Sequence, residues 1–116
     1  MTSVEVTRGE VWLTDFDPVI GHEQGGRRPC LIVSHDVYNH GPWEMVVVMP
    51  LTTKAKATRI RVLIEPPEGG LRSSSYIMPD MIRAISTQRL VSKWGAVSAE
   101  TLLDVETKTK ALLQFR

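Results

Sequence analysis

Apolar and polar positions fall into short runs over the first two-thirds of the chain and change to a helical period near the end. Residues 10–16 predict a strand, closed by the turn signal Asp17-Pro18. Residues 20–27 hold Gly21, Gly25 and Gly26 and predict a loop. The uninterrupted apolar run of residues 29–34 is long enough only for a central strand. A turn at Asn39-His40-Gly41-Pro42 leads into a further strand over residues 43–51. Over residues 59–65, Ile60, Val62 and Ile64 point one way and Arg59, Arg61 and Glu65 the other, the pattern of a half-buried strand. After a loop at Pro66-Pro67-Glu68-Gly69-Gly70, residues 75–78 and 81–85 predict two short strands.

The tail reads differently. Ser98 is a suitable N-cap; Glu100, Asp104 and Glu106 come early, and Lys108 and Lys110 come late, which matches the helix dipole. Leu102, Val105, Leu112 and Leu113 share one face at helical spacing. Short strands at regular spacing followed by one helix predict an α+β, mostly β fold: a small, highly curved barrel with a C-terminal α-helix packed on it.

Composition narrows the class. At 116 residues, 42% hydrophobic and 23% charged, the chain is expected to form a single globular domain over residues 1–116. No apolar run approaches the length of about 20 residues that spans a bilayer, and Met1-Thr2-Ser3-Val4-Glu5 has neither the basic nor the apolar region of a secretory signal. The lone Cys30 cannot form an internal disulfide, so a reducing, cytoplasmic setting is expected, with Cys30 as a small buried hydrophobe in its apolar run. The net charge of +1 does not point to nucleic acid. Between His22 and Arg61, however, six basic residues (Arg27, Arg28, Lys54, Lys56, Arg59, Arg61) face three acids, a local +3 that allows a modest basic face or a mixed solvated surface.

Common catalytic patterns are missing: there is no phosphate loop ending in Lys-Ser/Thr, no His-Glu-x-x-His, no Cys-x-x-Cys and no Gly-x-Ser-x-Gly. Two of the three histidines His22, His35 and His40 could form an acid–base pair, although loop histidines are more often surface residues. Asp15 and Asp17 could hold a magnesium ion, but Asp17 before Pro18 is better read as a turn initiator, and no metal site is expected. The segment His22-Glu23-Gln24-Gly25-Gly26-Arg27-Arg28-Pro29 hangs a carboxylate, an amide and two guanidiniums just before a buried strand. Arginine binds phosphate oxygens bidentately, so this loop is either a phosphate site or a solvated connection.

The chain resembles the MazF/PemK family of toxin endoribonucleases. Four stretches carry the resemblance: Arg8-Gly9-Glu10-Val11-Trp12-Leu13; Asp17-Pro18 through Gly21-His22-Glu23-Gln24-Gly25-Gly26-Arg27-Arg28-Pro29; Pro50-Leu51-Thr52-Thr53; and Asp80-Met81-Ile82-Arg83-Ala84-Ile85 through Arg89-Leu90. The resemblance implies an SH3-like barrel of the CcdB/PemK type with a C-terminal helix, a homodimer and a cognate antitoxin protein. It implies Arg28 and Thr52 as catalytic residues, with Glu23 at a position tied to cleavage geometry and a candidate for handling the proton. RNA contacts are expected at Gln24, Arg27, Thr53, Lys54 and Lys56. The chain departs from the pattern at His22, where serine is common, and at Met81, where glutamine often follows the aspartate.

The implied reaction is attack of a ribose 2′-OH on the adjacent phosphate of single-stranded RNA, without metal or cofactor, leaving a 2′,3′-cyclic phosphate. Arg28 suits stabilisation of the phosphorane, and the Thr52 hydroxyl can donate a second hydrogen bond. A guanidinium with a pKa above about 12 is a poor general base, which is why the proton falls to Glu23. Two rivals use the same fold: a CcdB-like DNA gyrase poison, which acts through C-terminal residues, and a non-catalytic SH3-like interaction module. Neither has a use for Arg28 and Thr52 together.

Overall fold

The apolar runs around Cys30 and Val48 are buried on both faces because they form adjacent central strands with a core on each side. The computed structural model describes residues 5–17, 26–54 and 58–115. In chain order it contains β1 (Glu10–Asp15), β2 (Arg27–Ile32), the one-turn helix α1 (Asp36–Asn39), β3 (Met45–Thr52), β4 (Val62–Ile64), β5 (Ser75–Ile77), β6 (Arg83–Ser86), β7 (Leu90–Ala96) and α2 (Ala99–Leu113). The expected loop of residues 20–27 falls mostly outside the described residues, as do Glu23, Gln24 and Lys56.

All the ladders are antiparallel, in the order β4-β5-β3-β2-β1-β7, with β6 also on β3. β3 organises the sheet. Residues 48–50 pair with β2 on one side; on the other, residues 45–48 pair with β6 and residues 51–52 with β5. One long strand serving two successive partners on one side forces strong curvature, as the strand pattern predicts and as the SH3-like fold implied by the resemblance requires. Among the described residues no ladder joins β7 to β4 or β6, so closure is not complete in hydrogen bonds.

Alternation along the strands sorts side chains between two cores. Trp12, Phe16, Cys30, Ile32, Val48 and Ile85 belong to the first. Val11, Leu31, Met49, Leu51 and Ile77 line the opposite face, where they meet Val105 of α2. Ser98 caps α2 by accepting from the Thr101 amide at 3.1 Å. The Glu68 carboxylate fixes the same end, accepting from the Ser98 amide at 3.0 Å and the Thr101 hydroxyl at 2.5 Å.

Four details differ from the sequence reading. The strand expected over residues 59–65 shrinks to Val62–Ile64: Thr58 turns the chain by accepting from the Ile60 amide, and Ile60 is exposed. The turn at residues 39–42 is preceded by α1, which His35 caps. Leu112 and Leu113 lie on the predicted face but remain 36% and 45% exposed, because the core under α2 ends near Leu102 and Val105. Finally, β7 was not predicted. It is an edge strand with register shifts against β1, and its residues 91–94 are all exposed, so no period marks it. Gly70 lets the preceding turn press on this strand: its φ is +71°, and a Cβ there would lie 2.1 Å from the Trp94 carbonyl oxygen.

β7 also contributes to a buried ionic cluster. Glu10, 8% exposed, accepts from the Thr7 amide at 2.8 Å, the Trp12 indole N–H at 3.1 Å and the Lys93 ammonium at 2.7 Å. Burial alone would raise its pKa, but these donors together hold it below the ordinary value. A depressed carboxylate pKa stabilises the fold above the unfolded pKa, and this contribution is lost as pH falls through the folded one. Glu10→Ala should cost about 1–3 kcal/mol at neutral pH, since it leaves buried donors unpaired. Urea titrations at pH 7 and pH 3 should show a gap between wild type and variant that narrows in acid; a gap independent of pH would contradict this role.

Candidate functional site

At one end of the first core, the apolar face of β2 and β3 gives way to charge. β2 runs Arg28, Cys30, Ile32 along this face, and β3 runs Val46, Val48, Pro50, Thr52. The two strands pair Cys30 with Pro50 and Ile32 with Val48; continued by one alternation, the same register sets Arg28 level with Thr52. On its other side Arg28 pairs with the fully buried Thr14 of β1. Thr52 accepts from the Lys54 amide at 3.1 Å, which orients its hydroxyl oxygen and leaves the O–H direction uncommitted by that bond.

A second guanidinium lies on the same core face. Arg83 shares the core face of β6 with buried Ile85, and its guanidinium carbon lies 5.3 Å from the centre of the Phe16 ring. Burial pushes the Cys30 thiol up to about 12, against the opposing effects of the Thr14 hydroxyl and the positive charges of Arg83 and Arg28. Both guanidiniums therefore lie within electrostatic reach of one buried sulfur. The thiol itself is an inert packing group, as its apolar run predicts.

The edge of the site is firmly tied. Arg89 donates to the carbonyl oxygens of Asp15 at 3.2 Å and Asp17 at 2.8 Å. The Asp17 carboxylate accepts from the Gly26 amide at 2.8 Å, and the Phe16 amide donates to the Gly26 carbonyl at 2.9 Å. These bonds clamp together the two described residues that flank 18–25, so that the chain re-enters at Arg27 and Arg28 in fixed register. Asp15 and Asp17 are thus engaged with backbone amides, while the turn expected at Asp17-Pro18 runs outside the described residues. Among the described residues no group of three or more His, Cys, Asp or Glu side chains could hold a metal ion.

The structure separates several candidates. Arg27 is exposed and alternates to the face opposite Arg28, beside Asp15. Thr53 and Lys54 are exposed just past the end of β3, next to Thr52. His35 and His40 do not approach Arg28: they follow the far end of β2, some seven residues or about 20 Å along the strand direction. The His35 ring caps α1 through the Val37 amide, and His40 Nε2 bonds the Val6 carbonyl at 2.7 Å. One ring nitrogen of each serves the fold, and neither ring lies beside Arg28 and Thr52. Arg83 is the residue the sequence reading passed over. The available signal was a charged residue two positions before Ile85, on the core-facing side of a strand.

A curled antiparallel sheet that carries Arg28, Thr52 and Arg83 on one face defines a small β-fold domain with a cationic, partly buried rim. The family described as PemK-like, MazF-like toxin of type II toxin-antitoxin systems matches residues 7–113, and the chain belongs to it. It is 35% identical to endoribonuclease EndoA of Bacillus subtilis over 95% of this chain and 98% of that protein. It is 33% identical to endoribonuclease MazF9 of Mycobacterium tuberculosis, over 93% and 96%. Among solved structures, MazF of Deinococcus radiodurans superposes with a TM-score of 0.83 at 28% identity, covering 97% of this chain and 99% of that one. A MazE-MazF structure from the same organism gives 0.81 at 27%, covering 98% and 100%.

Proposed function

We propose that this chain is a metal-independent, sequence-selective endoribonuclease that cuts single-stranded RNA in the cytoplasm as the toxin of a toxin–antitoxin pair. The observation that carries this reading is the placement of Arg28, Thr52 and Arg83 on one face at the rim of the first core. A scissile phosphate bound there meets two cations and a hydroxyl donor in a partly dehydrated setting, where preorganised donors act most strongly on developing charge.

In the reaction the ribose 2′-oxygen forms a bond to the neighbouring phosphorus and the bond from phosphorus to the 5′-oxygen breaks. The proton leaves the 2′-OH, and the departing 5′-oxygen takes one up. Arg28 stabilises the phosphorane, Thr52 donates a hydrogen bond to a non-bridging oxygen, and Arg83 adds charge. Glu23 is assigned to removing the proton; the arginines are too basic for it. Gln24, Thr53, Lys54 and Lys56 contact flanking nucleotides, and Arg27, on the other face of β2, acts on RNA only outside the scissile position. The likeness to EndoA and MazF9 supports the activity, and the family description supports a cognate antitoxin, which we infer covers this site. A homodimer is assigned on the same resemblance.

Purified protein incubated with a long RNA transcript in excess EDTA should cut it and leave cyclic phosphate ends. A parallel reaction with gyrase and supercoiled DNA should show no poisoning. Cleavage that disappears on chelation and returns with magnesium would overturn the metal-free mechanism.

A further inference from the structure

Beyond Thr52 the face that carries the cationic site continues onto β5 and β4, where, among the described residues, no core cluster covers it. Thr52 pairs with Tyr76, and Tyr76 pairs with Leu63. Directly paired residues share a face, which groups Thr14 with Arg28 and Thr52 with Tyr76 and Leu63; carried two residues past the end of its ladder, the β2–β3 register joins the two groups into one row. With strands about 4.8 Å apart, the Tyr76 backbone is one step from Thr52 and about 10 Å from Arg28.

The strand beneath Tyr76 is anchored on its other face. Its neighbours Ser75 and Ile77 are 2% and 0% exposed on the opposite face, and the Ser75 hydroxyl bonds the Ser73 carbonyl at 3.0 Å. Tyr76 is only half-buried, and Leu63 beside it is 49% exposed. An aromatic ring with an apolar neighbour thus stands one strand away from a phosphate site. A packing residue would be covered on this side; among the described residues no group covers the pair.

We propose that Tyr76, extended by Leu63, is the stacking platform for the unstacked base of the nucleotide next to the scissile phosphate. This inference rests on the RNA-cleaving reading of the same site. Single-stranded nucleic acid binds by combining cationic contacts to the backbone with bases laid on aromatic rings, and a base lies about one strand spacing from its own phosphate. Stacking of this kind accepts any base, so Tyr76 holds the flanking nucleotide in place while edge contacts elsewhere select its identity. The ring also restrains the nucleotide whose backbone must bend for in-line attack.

The test uses a synthetic oligoribonucleotide spanning a cut mapped on a long transcript, and the same oligomer with a single abasic ribose at each flanking position in turn. Tyr76→Phe should cleave within about threefold of wild type. Tyr76→Leu and Tyr76→Ala should lose about tenfold to a hundredfold in kcat/KM, the range that loss of one stacked base gives. Tyr76→Leu keeps apolar bulk and secures a folded comparison, checked by circular dichroism. At one flanking position the abasic substitution should cost wild type a similar factor and cost Tyr76→Leu almost nothing further. Wild-type rates for Tyr76→Leu, or equal abasic penalties in both proteins at every position, would overturn the proposal. Fluorescence anisotropy with an uncleavable 2′-O-methyl version separates the two readings. Tyr76-dependent binding without any RNA cleavage would leave the platform standing and refute the nuclease; cleavage indifferent to Tyr76 would do the reverse.

Discussion

Replacing Arg28 by lysine should abolish most of the turnover, nearly as completely as replacing it by alanine. If a positive charge near the phosphate were sufficient, lysine would preserve activity, all the more with Arg83 and its charge close by. A guanidinium, however, presents two parallel donors in a fixed plane, and the register that sets Arg28 level with Thr52 aims that plane from a strand rather than from a flexible tether. An ammonium at the end of a lysine stem supplies one point of charge with freely turning donors. Loss of one preorganised donor to a developing oxyanion costs about a hundredfold to a thousandfold in rate. Both variants should therefore fall by that factor in single-turnover cleavage, and Thr52→Ala should also fall strongly.

The variants should fold, since Arg28 and Thr52 are only partly buried and end the apolar run rather than sit within it. Arg27→Ala is the internal control: its side chain leaves β2 on the opposite face, so the rate of the chemical step should stay near wild type. Near-normal single-turnover cleavage by folded Arg28→Ala protein would remove Arg28 from the mechanism.

Much of this arrangement could be read before the structure was known, and the reasons are local. Cys30, Leu31 and Ile32 announce a central strand because only a strand with a core on each side buries three consecutive residues. Ser98 and the charge order after it announce α2. Arg28 and Thr52 stand out through the motifs around them, and the pairing of β2 with β3 brings those two segments, more than twenty residues apart, onto neighbouring strands.

What escaped the sequence depends on long-range geometry. β7 has no period because it is an edge strand whose fit comes from glycines: Gly95 packs against the turn at Gly69 and Gly70, contacts that no pattern within residues 90–96 encodes. Arg83 lies two residues from the buried Ile85, yet its partner Phe16 is 67 positions away, and nothing short of the fold joins them. Tyr76 reads as an ordinary strand aromatic until its pairing with Thr52 places it beside the site. The histidines illustrate the converse. Their type suggests acid–base chemistry, but the direction of β2 carries His35 and His40 to the end of the sheet away from Arg28.

The central claim is that the nucleophile belongs to the RNA itself, with the protein supplying charge and position. That claim dictates which single oxygen is indispensable. Arg28, Thr52 and Arg83 can stabilise a phosphorane formed by any nucleophile, but only internal attack requires the 2′-OH of the nucleotide on the 5′ side of the cut. An oligoribonucleotide containing one cleavage site, with a single 2′-deoxyribose at that nucleotide, keeps every phosphate and every base. The account predicts that cleavage at this bond is abolished while the oligomer still competes for binding, and that the all-ribose substrate yields a 2′,3′-cyclic phosphate and a 5′-hydroxyl. Continued cleavage of the deoxy-substituted bond, with a 3′-hydroxyl and a 5′-phosphate as products, would show that water is the nucleophile and would contradict the account.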